Sequence, residues 1–374
     1  MAFPLSLLTC LAAATLAWPV AGTTGGAAAP PLCAHTRTLG LLAPLSGALP
    51  FLGREQRNWA RLAVARHNAR SRVAYRLVEL DSALEPAQAA GQARELAANP
   101  AVLAVVGPAG SDEVPAAGAV FARARLGYVS GSATRAVLTN GANPGFFRVV
   151  PSSAVQASTV ARYVVSGLHA TRVLVVDDSS AYSLPLADEV ARLLKARVTV
   201  ERDSVHDGQT SYGSTIAKAK GKLVVFLPWK TPARAQRFGE QLRAKNPRAT
   251  IFGADALYSA DFKLNRSLVT MFAPDVRRVR AATPVVRDYI RRYGPGWSVL
   301  GAPTYVATQV AMAAVDRACR NGTASRAEVR LALATTRLRT SVLGIPVSFT
   351  RAGDLRRDRY WIYRVAGGKF VLVQ

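Results

Sequence analysis

Along the chain, apolar runs too short for helices alternate with longer stretches whose apolar positions recur every three to four residues. Residues 38–44 (TLGLLAP) predict a strand and 51–68 a helix with Trp59, Leu62, Ala63 and Val64 at helical spacing. Residues 75–81 predict a second strand and 86–99 an Ala-rich amphipathic helix. A strand at 102–106, a small-residue helix, and strands at 127–129 and 146–150 follow, with Pro151 as punctuation. The pattern then restarts, with helices at 154–166, 186–194, 212–219 and 232–245 between strands at 172–177, 198–201, 223–227 and 250–253. After an apolar run at 268–271 come helices at 284–293, 303–319 and 325–336, then β-like runs at 345–349, 360–365 and 370–373. Alternation of this kind predicts an α/β protein with two mainly parallel, helix-covered sheets.

Parallel strands joined through helices place their C-terminal ends on one edge, so Gly107 to Ser111 and Ser130 to Thr134 are expected to converge on one crevice. Ser111 stands where a helix N-cap belongs, and free N–H groups at a helix start favour an anion. Tyr182, Trp229 and Asp255 end strands of the second half. Together these form a binding inventory: hydroxyls and helix-start amides for a carboxylate, Asp255 for an ammonium group, and Tyr182, Trp229 and Leu52 as apolar walls. Each also has a plainer reading. Ser111 and Thr134 also serve as caps, Tyr182 and Trp229 as packing, and Asp255 as a turn residue.

Composition narrows the classes. The 374 residues are half hydrophobic, enough for two ordinary domains with real cores. Residues 1–22 hold no charged residue and are largely apolar from 5 to 20, which reads as a secretory signal without the usual basic start. The expected leader and N-terminal segment span 1–33, and the mature protein is expected to be exported, periplasmic or otherwise extracytoplasmic, and soluble. Cys10 would leave with the leader, so Cys33 and Cys319 remain, as a disulfide or as two thiols. The net charge of +25 invites a nucleic-acid partner. However, the basic residues are scattered, with Arg277, Arg278 and Arg280 the densest group, and no aromatic platform is interleaved with them. No nucleic-acid partner is therefore expected.

No phosphate-binding loop, dinucleotide fingerprint, nucleophile elbow or His-Glu-x-x-His pattern is present. His35, His67, His169 and His206 lack metal-ligand spacing, and the adjacent Asp177 and Asp178 read as a solvated loop. No catalytic residue, metal or cofactor is expected, and the chain reads as a binder rather than an enzyme.

The strings LLAPLSG, AVVGPAGS, YVSGSATR, FFRVVPSS, VVDDSSAYS, LVVFLPW, IFGADAL, LVTM, VSFTRAGDLR and YWIYRVAGGKFV occur in an order and spacing that covers nearly everything from Thr38 onward. In them the chain resembles the type I periplasmic binding proteins, specifically the leucine/isoleucine/valine-binding group that serves ABC importers. The resemblance implies two βα lobes joined by a three-stranded hinge, with lobe 1 at 37–151 and 274–356 and lobe 2 at 152–273 and 357–374. It implies a carboxylate clamp from Ser111, Ser132, Ala133 and Thr134, an ammonium partner in Asp255, and closing contacts from Tyr182 and Trp229. Leu52 falls where the family often has an aromatic wall. The implied partners are a small amino acid-like ligand, carboxylate or amide and a membrane ABC permease, with the protein itself a monomer. A ligand-sensing receptor that reports to a signalling partner is the alternative role. Departures from the family pattern concern specificity. Asp112 and Glu113 follow the clamp serine and would oppose a carboxylate if they pointed inward, with Arg135 available to offset them. Ser183 replaces a frequent glycine, and Trp229 is bulkier than the usual tyrosine. These changes leave an aromatic acid, a short amide or another small carboxylate open as cargo.

Overall fold

A computed structural model of the chain describes Cys33 and residues 36–206, 208–221, 223–296 and 299–374. Apart from Cys33, the expected leader at 1–33, including Cys10, lies outside the described residues, as does His35.

The first sheet comes from β1 (Thr36–Ala43), β2 (Ala74–Asp81), β3 (Val102–Val106), β4 (Gly127–Ser130) and β5 (Phe146–Arg148). Between them lie α1 (Pro50–Asn68), α2 (Pro86–Ala98) and α3 (Glu113–Arg123). All pairings are parallel, in the order β2-β1-β3-β4-β5. Every residue of β3 (VLAVV) is buried, as expected of a central strand covered on both faces.

After α4 (Ser153–Arg162), the second sheet starts with β6 (Arg172–Asp177), α5 (Ser183–Leu194), β7 (Thr199–Ser204), α6 (Gly213–Lys218), β8 (Val224–Leu227), α7 (Pro232–Lys245), β9 (Thr250–Gly253) and β10 (Leu268–Met271). The chain then gives α8 (Thr283–Tyr293), α9 (Ala302–Ala318) and α10 (Arg326–Ala334), and finally β11 (Trp361–Ala366) and β12 (Lys369–Leu372). The order is β12-β11-β10-β9-β8-β6-β7, with β11 antiparallel to both its neighbours and the rest parallel. Helices α9 and α10 pack back on β3 and β4, whereas β11 and β12 extend the second sheet. The chain therefore passes between the two sheets three times: after β5, after β10 and before β11.

Local chemistry explains several boundaries. Ser325 and Glu328 form a reciprocal capping box at the start of α10, and the Arg326 guanidinium donates to the carbonyls of Ala97, Asn99 and Val102, tying that helix to the start of β3. Trp59 on α1 is fully buried, stacks on Tyr289 of α8 at 4.3 Å and meets Tyr305 of α9 edge-on at 6.1 Å. Such aromatic pairs add about 0.5–1.5 kcal/mol each beyond their buried area. Cys33 and Cys319 are joined by a disulfide with Cα atoms 5.4 Å apart, across 286 residues of sequence.

Three expectations differ from the fold. The apolar run at 345–349 is not a strand; it makes only the isolated bridges Leu338 to Val347 and Phe349 to Leu355. Pro346 has no N–H to offer a ladder, and Gly344 and Gly353 turn the chain at positive φ on either side. The helix expected to reach 166 is α-helical only to Arg162 and widens into a π turn at Tyr163–Gly167, with Leu168 N bonded to Tyr163 O at 2.9 Å. The strand expected at 198–201 continues to Ser204 because β7 lies along the whole of β6.

Candidate ligand-binding cleft

The cleft is built first from the way β3 and β4 end. Gly107 follows β3 at φ +109°, and a Cβ there would lie 2.1 Å from Leu42 O, so only glycine lets the loop turn over the sheet edge. Ser130 closes β4 and is fully buried. Its Oγ donates to Pro108 O at 2.7 Å and accepts the N–H of Ala133 at 3.0 Å, stitching the two loops together. Ser132 Oγ donates to Ala109 O and accepts from Gln56 Nε2, both at 2.9 Å. Ser111 Oγ accepts the Arg135 N–H at 3.2 Å, while the Arg135 guanidinium pairs with Asp112 at 2.9 Å. Behind the loop, buried Arg148 of β5 donates to the carbonyls of Thr134 and Arg135 at 2.9 and 2.8 Å and to Asp354 at 2.6 Å.

From the second sheet, Tyr182 follows β6, Lys230 follows β8, Asp255 follows β9 and Phe272 follows β10. All four line the same cleft as Ser111, Ser132, Thr134 and Leu52, around ≈ 110 Å³ of accessible space. Leu49, Phe51 and Leu84 add apolar wall from the first half. A larger hollow of ≈ 820 Å³ lies between α6 and α7 and the loops beside them. It is open, belongs to one sheet's covering helices and receives none of the strand-end loops, so the smaller cleft is the candidate site.

Asp255 is 5 % exposed, and its Oδ1 accepts both the Tyr182 hydroxyl at 2.7 Å and Gln156 Nε2 at 2.5 Å. Burial raises its pKa, opposed by those two hydrogen bonds. Burial and the neighbouring Asp255 charge hold the Tyr182 hydroxyl well above its ordinary pKa, so it remains a neutral donor. Gln156 reaches across from α4 and also donates to Thr270 Oγ1 at 2.9 Å, fixing the carboxylate from behind.

Glu113 points inward. The first residue of α3 lines the cleft with 0 % exposure, and its Oε2 accepts the Gly110 N–H. Gly110 is the residue that leaves it room, since a Cβ there would stand 2.6 Å from that oxygen. Burial pushes the Glu113 carboxyl up to about 7, against the pull of the Ser82 hydroxyl, the Gly110 N–H and the Lys230 charge.

Two expected residues are corrected. Trp229 is fully buried; its Nε1 donates to Val176 O at 2.7 Å and its ring packs on Tyr212 and Phe238. An internal acceptor for the indole N–H and aromatic neighbours draw it into the core, and Lys230 takes the cleft-facing position, with its backbone N–H on Asp178 at 2.7 Å. Ala133 is buried among the side chains behind the loop and its N–H is committed to Ser130, so it does not line the cleft. Glu113 and Lys230 were absent from the expected wall. An inward Glu113 was legible only as a conditional in Asp-Glu after the clamp serine, and Lys230 left no signal beyond its neighbour's. Among the described residues no cluster of His, Cys, Asp and Glu is placed to hold a metal ion, and no helix is long and apolar enough to cross a membrane.

The family described as periplasmic binding protein matches residues 36–369. The Leu/Ile/Val-binding protein BraC3 of Rhizobium johnstonii is 26% identical over 357 residues, covering 92% of this chain and 95% of that protein. In structure, the chain is similar to the branched-chain amino acid transporter substrate-binding protein LivJ of Streptococcus pneumoniae, solved with isoleucine. That match has a TM-score of 0.80 at 24% identity and covers 90% of this chain and 99% of that one. It is also similar to the leucine-binding protein LivK of Thermotoga maritima, with a TM-score of 0.81 at 19% identity and coverage of 90% and 98%.

Proposed function

The chain belongs to the periplasmic binding protein family, with the type I fold, and from that premise we propose a function for it. It is the extracytoplasmic substrate-binding protein of an ABC importer. It captures a small amino acid-like ligand, or a related carboxylate or amide, between two lobes and hands it to the membrane permease. It is a binding protein, not an enzyme. Lobe 1 comprises 37–151 with 274–356 and lobe 2 comprises 152–273 with 357–374, linked by the three crossings.

One observation carries the reading: groups of opposite preference face a single cleft from the two sheets. The hydroxyls of Ser111 and Thr134 stand beyond β3 and β4, and buried Asp255 stands beyond β9 with Tyr182 as its donor. A ligand held at both walls stabilises the closed arrangement over the open one by its differential contacts, and the permease reads the closed state. Leu52, Tyr182 and Phe272 supply the apolar surround.

A thermal-shift screen of the exported chain tests this reading against amino acids, primary amides, aromatic acids and small dicarboxylates. A ligand at about 100 times its Kd adds roughly 2.7 kcal/mol, a shift of several degrees. The double variant Ser111→Ala, Asp255→Ala keeps its circular dichroism and loses the shift. A panel in which no compound shifts the protein sinks the reading. Uptake of the labelled ligand by cells lacking the gene tests delivery, and undiminished uptake removes the importer role while leaving capture.

A further inference from the structure

The wall beside Ser111 is acidic where an anion site was expected. A helix start offers N–H groups to an anion. Here the chain's own Glu113 carboxyl sits at the start of α3 and takes the Gly110 N–H of the loop before it, and Ser132 Oγ, a second expected clamp donor, spends its hydrogen on Ala109 O. What Glu113 leaves unused is an acceptor: Oε1 is buried, belongs to a residue with 0 % exposure that lines the cleft, and has no hydrogen-bond partner. The Ser82 hydroxyl stands buried beside the same carboxyl and draws its pKa down. A buried acceptor left unmade is costly, so a ligand group that lends it an N–H gains what a ligand carboxylate, itself only an acceptor, cannot.

The charges facing the cleft agree. Asp112 is neutralised by Arg135, which leaves Glu113 on one wall, Asp255 on the other and Lys230 as the cation. A ligand with one ammonium group and no carboxylate balances those three charges; an amino acid, carrying both, leaves one negative charge in excess.

Resting on the reading that the cleft takes amino acid-like ligands, we propose that Glu113 determines specificity: its free oxygen receives an N–H from the ligand, so the cleft selects a primary carboxamide head over the corresponding free carboxylate. Glu113 touches the ligand directly, and Gly110 is the positioning residue that makes room for it. The raised pKa of Glu113 supplies a second handle. Burial, and to a lesser extent Asp112, raises that pKa, and the Ser82 hydroxyl, the Gly110 N–H and Lys230 lower it. Protonation turns Oε1 or Oε2 from an acceptor into a donor, so acid favours the carboxylate that pH above 7 disfavours.

Isothermal titration of the exported chain with valine against valinamide, leucine against leucinamide and phenylalanine against phenylalaninamide tests the assignment. At pH 7.5 the wild type is expected to bind the amide of at least one pair ten times or more tightly than its acid. Glu113→Gln, which keeps an acceptor for Gly110 and adds a donor, is expected to shift that ratio at least tenfold toward the acid. The wild type needs no substitution for the second measurement: moving from pH 7.5 to 5.5 is expected to lower the amide-to-acid ratio about tenfold. Acids preferred at pH 7.5, with a ratio unchanged in Glu113→Gln and at pH 5.5, overturn the role of Glu113 and leave the proposed function standing. Failure of every acid and every amide to bind overturns the amino acid-like reading itself and the proposal with it.

Discussion

Tyr182 and Asp255 meet across 2.7 Å, hydroxyl to carboxylate, at the wall of the cleft formed by the second sheet. The bond orients Asp255 and offsets part of the penalty that burial places on its charge. Tyr182→Phe removes the donor, so the Asp255 pKa rises further and its hold on a ligand ammonium weakens. We expect about a tenfold loss of affinity for amine-bearing ligands, growing as pH falls, and a larger loss for Asp255→Asn. Calorimetry at pH 8 and pH 5.5 measures both, and an unchanged Kd in Tyr182→Phe removes Asp255 as the ammonium partner.

Glu113 makes stability depend on pH in the direction opposite to most carboxylates. Its folded pKa, about 7, lies above the unfolded value of 4.5. The contribution is fully present below pH 4.5, declines as pH rises, and is gone above about 7. The shift corresponds to about 3 kcal/mol between those limits. The ligand-free wild type should therefore lose Tm between pH 5 and pH 8, and Glu113→Gln should flatten that slope. Parallel slopes in urea or thermal titrations would show that the group does not titrate as described.

Trp229 and Lys230 are adjacent and should separate cleanly. Trp229→Ala empties a packed aromatic site and should cost about 3–5 kcal/mol of stability. Lys230→Ala should leave the urea midpoint nearly unchanged while altering ligand affinity. A stable Trp229→Ala protein with impaired binding would return the indole to the cleft.

Arg148 is buried in a network with Asp354 and the carbonyls of Thr134 and Arg135. Arg148→Ala should cost about 3–5 kcal/mol by stranding those partners. Arg148→Lys should recover part of the stability but not the ligand affinity, because one ammonium cannot reproduce the fork that holds the loop. Equal recovery of both would show that the network serves stability alone.

The disulfide should be worth about 2–4 kcal/mol, since it closes a very long loop. Paired Cys33→Ser and Cys319→Ser substitutions, or a reductant with the wild type, should lower Tm together and leave ligand preference unaltered.

How far the sequence carried depends on the kind of question. Residues 102–106 read as a strand because five consecutive apolar positions admit a centre covered on both sides, and β3 occupies those bounds. The residues at 345–349 are also largely apolar, yet Pro346 and the glycines around them cannot join a ladder. Periodicity also stops at the last strand residue. After β8 nothing in Leu-Pro-Trp-Lys states which of two neighbours turns inward; the indole's need for an acceptor decides it, and Val176 O is visible only in three dimensions. The inward turn of Glu113 depends on Gly110 in a similar way, and the pairing of Cys33 with Cys319 rests on proximity that no spacing reveals.

The order in which the chain is used has a consequence for its biosynthesis. The first sheet is covered by α9 and α10, Arg326 reaches back to Val102, and Cys33 closes on Cys319. The second sheet gains β11 and β12 only after α8, α9 and α10 have been made. Neither half can complete its packing before α9, α10, β11 and β12 have emerged from the ribosome. The nascent chain is therefore expected to stay loose until those elements emerge, and that interval is the window open to holdase chaperones.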